Sequence, residues 1–106
     1  MNDEQLDHVF RALADLRRRR IIDYLRKNPE QSLFQICTQM IIASQAEGGK
    51  GISRQAISQH LDILERAGIV RISWSGRTKL HSLDLRPMRG AASTWLEQHL
   101  QKGAEP

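Results

Sequence analysis

The run from Ile52 to Asp84, ISRQAISQHLDILERAGIVRISWSGRTKLHSLD, constrains this chain more than any other, because it joins a capped amphipathic helix directly to a basic β-hairpin. Ser53 can cap the helix with its hydroxyl, while Ile57, Leu61 and Leu64 fall at i, i+4 and i+7 and make a buried stripe. Arg54, Gln55, Ser58, Gln59 and Asp62 gather on another face, whose first two turns offer donors and acceptors suited to base edges and phosphates. Gly68 supplies the C-terminal stop. Beyond it, Ile69 to Trp74 and Lys79 to Leu83 read as two strands joined through Ser75-Gly76-Arg77-Thr78, with Arg77 and Lys79 near the tip. A helix followed at once by a basic hairpin predicts a winged helix, an arrangement suited to reading duplex DNA.

The same residues resemble a known family. The run SRQAISQHLDILERAGIV, the GR of the hairpin, the HSLD at its end and FRALADLRRRRIIDYL near the start are similar to the ArsR-type winged helix-turn-helix repressors. The likeness extends from about Leu6 to Leu96, in the family's order. It implies a dimeric bacterial transcription repressor in which the helix beginning near Ser53 enters the major groove and the hairpin is the wing. It also raises metal-triggered release of DNA, which many members show. One family site pairs two cysteines on the third helix, where this chain reads LFQICTQM with Cys37 alone. Another uses Asp-x-His at the start of the last helix, with His or Glu about three turns on. Here Asp84 is followed by Arg86, which cannot ligate and whose charge opposes a cation, leaving Glu97 and His99 further along. No metal site and no cofactor is expected.

With 106 residues the chain fits one domain, residues 1–106, short enough that pairing with a second copy would help its stability. Positive charge is unevenly placed. Between Gly48 and His81 stand Lys50, Arg54, Arg66, Arg71, Arg77 and Lys79 against only Asp62 and Glu65, an imbalance equal to the net charge of +4 carried by the whole chain. This is the footprint expected for a polyanion. No apolar run is long enough to span a membrane, and MNDEQLDH does not resemble a secretory signal, so the cytoplasm is the expected compartment. A lone cysteine forms no internal disulfide.

Outside the reading segment the apolar spacing predicts a first helix carrying Leu6, Val9, Phe10 and Leu13, and a second from about Leu16 to Lys27 with Ile21, Ile22 and Leu25 inward. Asp15 breaks or caps between them, and Asn28-Pro29 closes the second. Arg17 to Arg20 span more than one turn and divide between phosphates or acidic neighbours and structural pairing. Ser32 starts a third helix with Leu33, Ile36, Cys37, Met40 and Ile41 as its stripe, where Cys37 reads as a small buried hydrophobe. IASQAEGGKG then exceeds the family's short turn. It can prolong the third helix and end in a glycine-rich loop that either places Lys50 on a phosphate or is disordered, and it is not a P-loop. Pro87 opens a last helix lined by Met88, Ala91, Ala92, Trp95, Leu96 and His99 or Leu100, after which QKGAEP frays. The expected fold is mainly α with a small hairpin, in the order α-α-α-α-β-β-α.

The histidines are scattered and no HExxH, GxSxG, CxxC or GxGxxG spacing occurs, so the residues do not predict an enzyme. They predict a sequence-specific regulator that occupies a (pseudo)palindromic double-stranded operator as a homodimer. Ser53, Arg54, Gln55, Ser58 and Gln59 would approach the major groove, and Arg77 and Lys79 the flanking backbone or minor groove. His60 is read either as a DNA contact or as a buried hydrogen-bonded ring. Val9, Phe10, Leu13, Trp95 and Leu96 are the expected dimer contacts. Two other readings fit the same fold: a protein–protein interaction module docking on an acidic partner, and a thiol- or metal-responsive sensor.

Overall fold

The computed structural model describes residues 1–49 and 51–101. The expected phosphate contact of Lys50 and the fraying of the last residues, 102–106, lie outside the described residues.

Polar caps fix where the helices begin. Asn2 and Gln5 form a reciprocal capping box that starts helix α1 (Asp3–Leu13), ahead of the first apolar residue that marks it in the sequence. Asp15 takes the capping alternative: its carboxylate accepts from the backbone N–H groups of Arg17 and Arg18 at the head of α2 (Leu16–Lys27). Ser32 and Gln35 repeat the capping box at α3 (Leu33–Ala46), and Ser53 caps α4 (Arg54–Arg66) through the Ala56 amide. At its far end α4 closes in a Schellman motif, with Gly68 at φ +74° and the Ile69 N–H donating to the Leu64 carbonyl at 3.0 Å.

The hairpin strands are β2 (Val70–Ser75) and β3 (Thr78–Leu83), paired antiparallel with Trp74 opposite Lys79 and Ser75 opposite Thr78. That register leaves Gly76 and Arg77 as the loop. Gly76, at φ +60°, supplies the positive φ that a two-residue reversal needs at its first position. A further strand, β1 (Gln31–Ser32), pairs with β3 and turns the hairpin into a three-stranded sheet of order β1-β3-β2. Two residues carry no period, which is why the sequence showed only the hairpin.

After β3 come α5 (Arg86–Ala91), a π-helical turn (Ala92–Leu96) and α6 (Glu97–Leu100) in unbroken succession. The expected last helix is thus interrupted by a π turn, and Trp95 and Leu96 lie within it.

One core joins these elements. Ile21, Leu25, Ile36, Ile57, Leu64, Ile69 and Val70 are its largest enclosed side chains. Two sequence expectations are corrected by it. Val9, expected at a dimer contact, is 1% exposed inside its own chain and so belongs to the protomer's core. Ile41, expected in the inward stripe of α3, is exposed, as are its helix neighbours Phe34 and Ile42, while Ile36, Cys37 and Met40 are buried.

Candidate nucleic-acid interface

Burial of Ile57, Leu61 and Leu64 turns the opposite side of α4 outward. Ser53, Arg54, Gln55 and Gln59 are exposed there, and Ser58 is half-buried beside them. Helix α3 packs against α4, so the two form a helix-turn-helix with the first turns of α4 presented to solvent. The Ser53 hydroxyl oxygen accepts from Ala56 N–H at 3.1 Å; its own proton remains available to an outside acceptor. Arg77 and Lys79 are both exposed on the wing.

His60 is half-buried and hydrogen-bonded within the chain. Arg18 donates from Nη1 to its Nδ1 at 3.1 Å, so the ring faces back to α2 and carries its proton on Nε2. Burial lowers the His60 pKa; the Arg18 and Arg17 charges add to this, and Asp15 opposes it. Arg18 is itself buried and also donates to the carbonyls of Ala12 at 2.8 Å and Arg11 at 2.9 Å, satisfying the C-terminal end of α1. Arg19 does the same for Leu13 at 2.7 Å, and Arg20 forms an ion pair with Glu47 at 2.7 Å. Of the four consecutive arginines, Arg20 thus makes an ion pair of the kind expected of at least one of them, while Arg18 and Arg19 serve backbone carbonyls, a role the sequence did not suggest.

Trp74 was not singled out from the sequence, yet it is 64% exposed on the wing. Alternation places Val70, Ile72 and Trp74 on one face of β2, and the first two cover the core while Trp74 overhangs it. Lys79 stands directly opposite on β3. An aromatic at the outer end of a strand whose inner end is already buried was the available signal.

The positions that resemble family metal sites are otherwise engaged. Cys37 is buried, and burial pushes its thiol pKa up against the opposing charge of Arg54. The Asp84 carboxylate accepts from the Arg86 guanidinium, Nε at 3.1 and 3.2 Å to its two oxygens and Nη2 at 2.7 Å, and from the Arg86 backbone N–H at 3.0 Å, with Arg71 at 3.5 Å. Those hydrogen bonds hold its carboxyl well below the usual carboxylate range. Arg86 therefore occupies the place where a ligand would stand and neutralises the carboxylate beside it.

Phe10 of α1 meets Trp95 edge to face at 6.0 Å and 74°, and Trp95 stacks on His99 at 4.2 Å and 26°. Trp95, Leu96 and Leu100 stay 45%, 39% and 79% exposed, with Leu13 half-buried nearby in sequence to Phe10. No helix among the described residues is long and apolar enough to cross a membrane.

Comparison with known proteins agrees with this geometry. A family described as a helix-turn-helix domain matches residues 13–72. The HTH-type transcriptional regulator YuzN of Bacillus subtilis (strain 168) is 32% identical over 91 residues, covering 86% of this chain and 95% of that protein. An ArsR-like transcriptional regulator from Rhodococcus sp. RHA1 superposes with a TM-score of 0.73 at 30% identity, over 90% of this chain and 76% of that one. HlyU from Vibrio cholerae shares the fold, with a TM-score of 0.59 at 24% identity over 95% of this chain and all of the other. These are families and folds of regulators rather than of enzymes, and the chain belongs to the ArsR-type winged helix-turn-helix transcriptional regulators.

Proposed function

We propose that this regulator is a single-domain, cytoplasmic homodimeric repressor that excludes polymerase by occupying a pseudo-palindromic double-stranded operator. The observation that carries the reading is the exposed first half of α4 beside a basic wing. Arg54, Gln55, Ser58 and Gln59 offer bidentate and single donors to base edges, with Ser53 at the helix mouth, while Arg77 and Lys79 reach the flanking backbone or minor groove. Trp74 joins the wing contact as an apolar surface laid against sugar or a base step. His60 acts from behind, holding α4 to α2 through Arg18.

The homodimer is supported by the apolar face of Phe10, Leu13, Trp95 and Leu96, to which Leu100 adds. Val9, enclosed in the protomer's core, is not part of that face. The engaged Asp84 and buried Cys37 favour control by something other than metal or thiol chemistry.

The test is selection of a duplex from a random library, followed by gel shifts across a range of salt. A DNA-binding dimer gives an enriched sequence whose affinity falls steeply with salt, because counterions are released from each neutralised phosphate. No enrichment and no salt-dependent shift would instead favour a module that docks on an acidic protein.

A further inference from the structure

A cavity of about 240 Å³ lies between α2, the end of α3 and the connector that leads to α4. Its walls include Ile21, Met40 and Ile52, and its polar side is made by Arg17, Arg20 and Glu47. This pairing of an apolar wall with two guanidiniums is amphipathic, and the volume is below the roughly 300–1,000 Å³ of drug-sized sites. The occupant that fits is correspondingly small. The chain itself shows where an anion sits, since the Glu47 carboxylate lies 2.7 Å from Arg20. Both partners are about half exposed, so that pair contributes little and is displaced at small cost.

The connector borders this space through Gly49 and Ile52. Gly48 leaves α3 at φ +77°, the Gly49 N–H donates to the Ser44 carbonyl at 2.8 Å, and the Gly51 N–H donates to the Ser44 hydroxyl oxygen at 3.1 Å. A side chain at Gly49 would meet the Ser44 hydroxyl oxygen at 2.8 Å, so the close approach needs glycine there. Two residues after Gly51 the chain reaches Ser53, the cap of the candidate reading helix.

We propose that this cavity binds a small alkyl carboxylate, whose carboxylate takes the place of Glu47 on Arg20 and Arg17 while its chain lies along Met40 and Ile52. A chain lying along Ile52 presses on the residue next to Ser53, the cap of α4, and so shifts the seating of that helix. Ligand binding thereby lowers DNA affinity. This coupling rests on the DNA-binding reading above, whereas the cavity does not.

Calorimetry on the whole chain with n-alkyl carboxylates from butyrate to decanoate tests the cavity without DNA. Affinity should rise by about fourfold per methylene until the space is full, and n-alkylamines of the same lengths should not bind. Arg20→Gln should weaken octanoate by about tenfold or more, as loss of a charge-assisted hydrogen bond requires. Ala43→Leu, which fills the space, should abolish binding, and Glu47→Gln should tighten it by removing the internal competitor. Absence of saturable binding up to millimolar octanoate in both the unmodified chain and Glu47→Gln would overturn the proposal. So would equal affinity for amines, or indifference to Arg20→Gln. Octanoate should then weaken binding of the selected duplex at least fivefold. Binding of octanoate with unchanged DNA affinity overturns the coupling and leaves the cavity standing, and failure to bind any DNA sinks the earlier reading without touching the calorimetry.

Discussion

Arg18, a charge in a basic run, is buried and Trp74, an aromatic in a strand, is exposed, each the reverse of what its residue type suggests. Arg18 is buried because three acceptors surround its guanidinium, the carbonyls of Arg11 and Ala12 and the ring of His60. Its neighbours at Arg17, Arg19 and Arg20 stay exposed, and no spacing rule separates one from the others in the run RRRR, because what selects Arg18 is the end of another helix. Trp74 is exposed because the core ends beneath Ile72. With Trp95→Phe leaving Trp74 as the remaining indole, its emission should shift and quench as the selected duplex is added, and Trp74→Ala should weaken that duplex by about 1–3 kcal/mol, the scale of burying a large side chain. Saturating gel shifts with unaltered Trp74 emission would take Trp74 out of the interface.

At the scale of elements, the helices were legible because capping and period agree: Asp15, Ser32 and Ser53 each sit just ahead of an apolar stripe and each is a cap. The wing was legible because glycine and strand-forming residues fall at hairpin spacing. What escaped was set by tertiary pairing alone. Strand β1 exists because Gln31 and Ser32 lie against His81 and Leu80, and the π turn exists within a segment whose sequence reads as ordinary helix. Val9 escaped for a related reason, since a helical stripe is wide enough to be split between the protomer's core and its surface. The exposure of Ser53, Arg54, Gln55 and Gln59 followed from the buried stripe of α4, whereas the half-burial of Ser58 did not, and His60 needed its distant partner to be placed.

Helix and wing should separate in binding. Gln55→Ala should cost about 1–3 kcal/mol on the selected duplex and little on scrambled DNA, because base contacts carry discrimination. Arg77→Ala should weaken both and reduce the salt slope by about one. Titrations against both duplexes at several salt concentrations check this, and the reverse pattern would exchange the roles of helix and wing.

Two imidazoles, the half-buried His60 and the buried His81, tie these elements together and set a pH dependence. His60 accepts from Arg18, and His81 donates from Nδ1 to the Gln31 carbonyl at 3.0 Å, joining β3 to β1. Burial lowers both pKa values. The folded chain therefore resists protonation that the unfolded chain accepts near the ordinary value of about 6.5. Stability is full above that pH and falls as pH drops through it toward the depressed folded values. Thermal unfolding followed from pH 7.5 to 5 should show a declining midpoint, with a shallower decline in His81→Phe. Asp15 and Asp84, whose pKa values are lowered, act only in more acidic solution. A midpoint that is flat over this range would mean that neither ring is held neutral.

In the proposed dimer each protomer carries one reading surface, and the apolar face of Phe10, Trp95 and Leu96 joins the two copies. Trp95 lies on that face, stacked on His99 and edge-on to Phe10, so Trp95→Glu should convert a dimer of about 24 kDa by light scattering, twice the 12.1 kDa chain, into monomer. DNA affinity should fall with it, because a single half-site contributes only part of the binding free energy. A dimer that survives this substitution would place the interface elsewhere.

The most direct measurement of the central claim is a hydroxyl-radical footprint of the unmodified protein on its selected duplex. The account predicts two protected half-sites related by a two-fold axis, their centres about 10–10.5 base pairs or a multiple of that apart, with protection at the flanks lost in Arg77→Ala. A single unsymmetrical patch, or no protection at concentrations where the protein is dimeric, would contradict it.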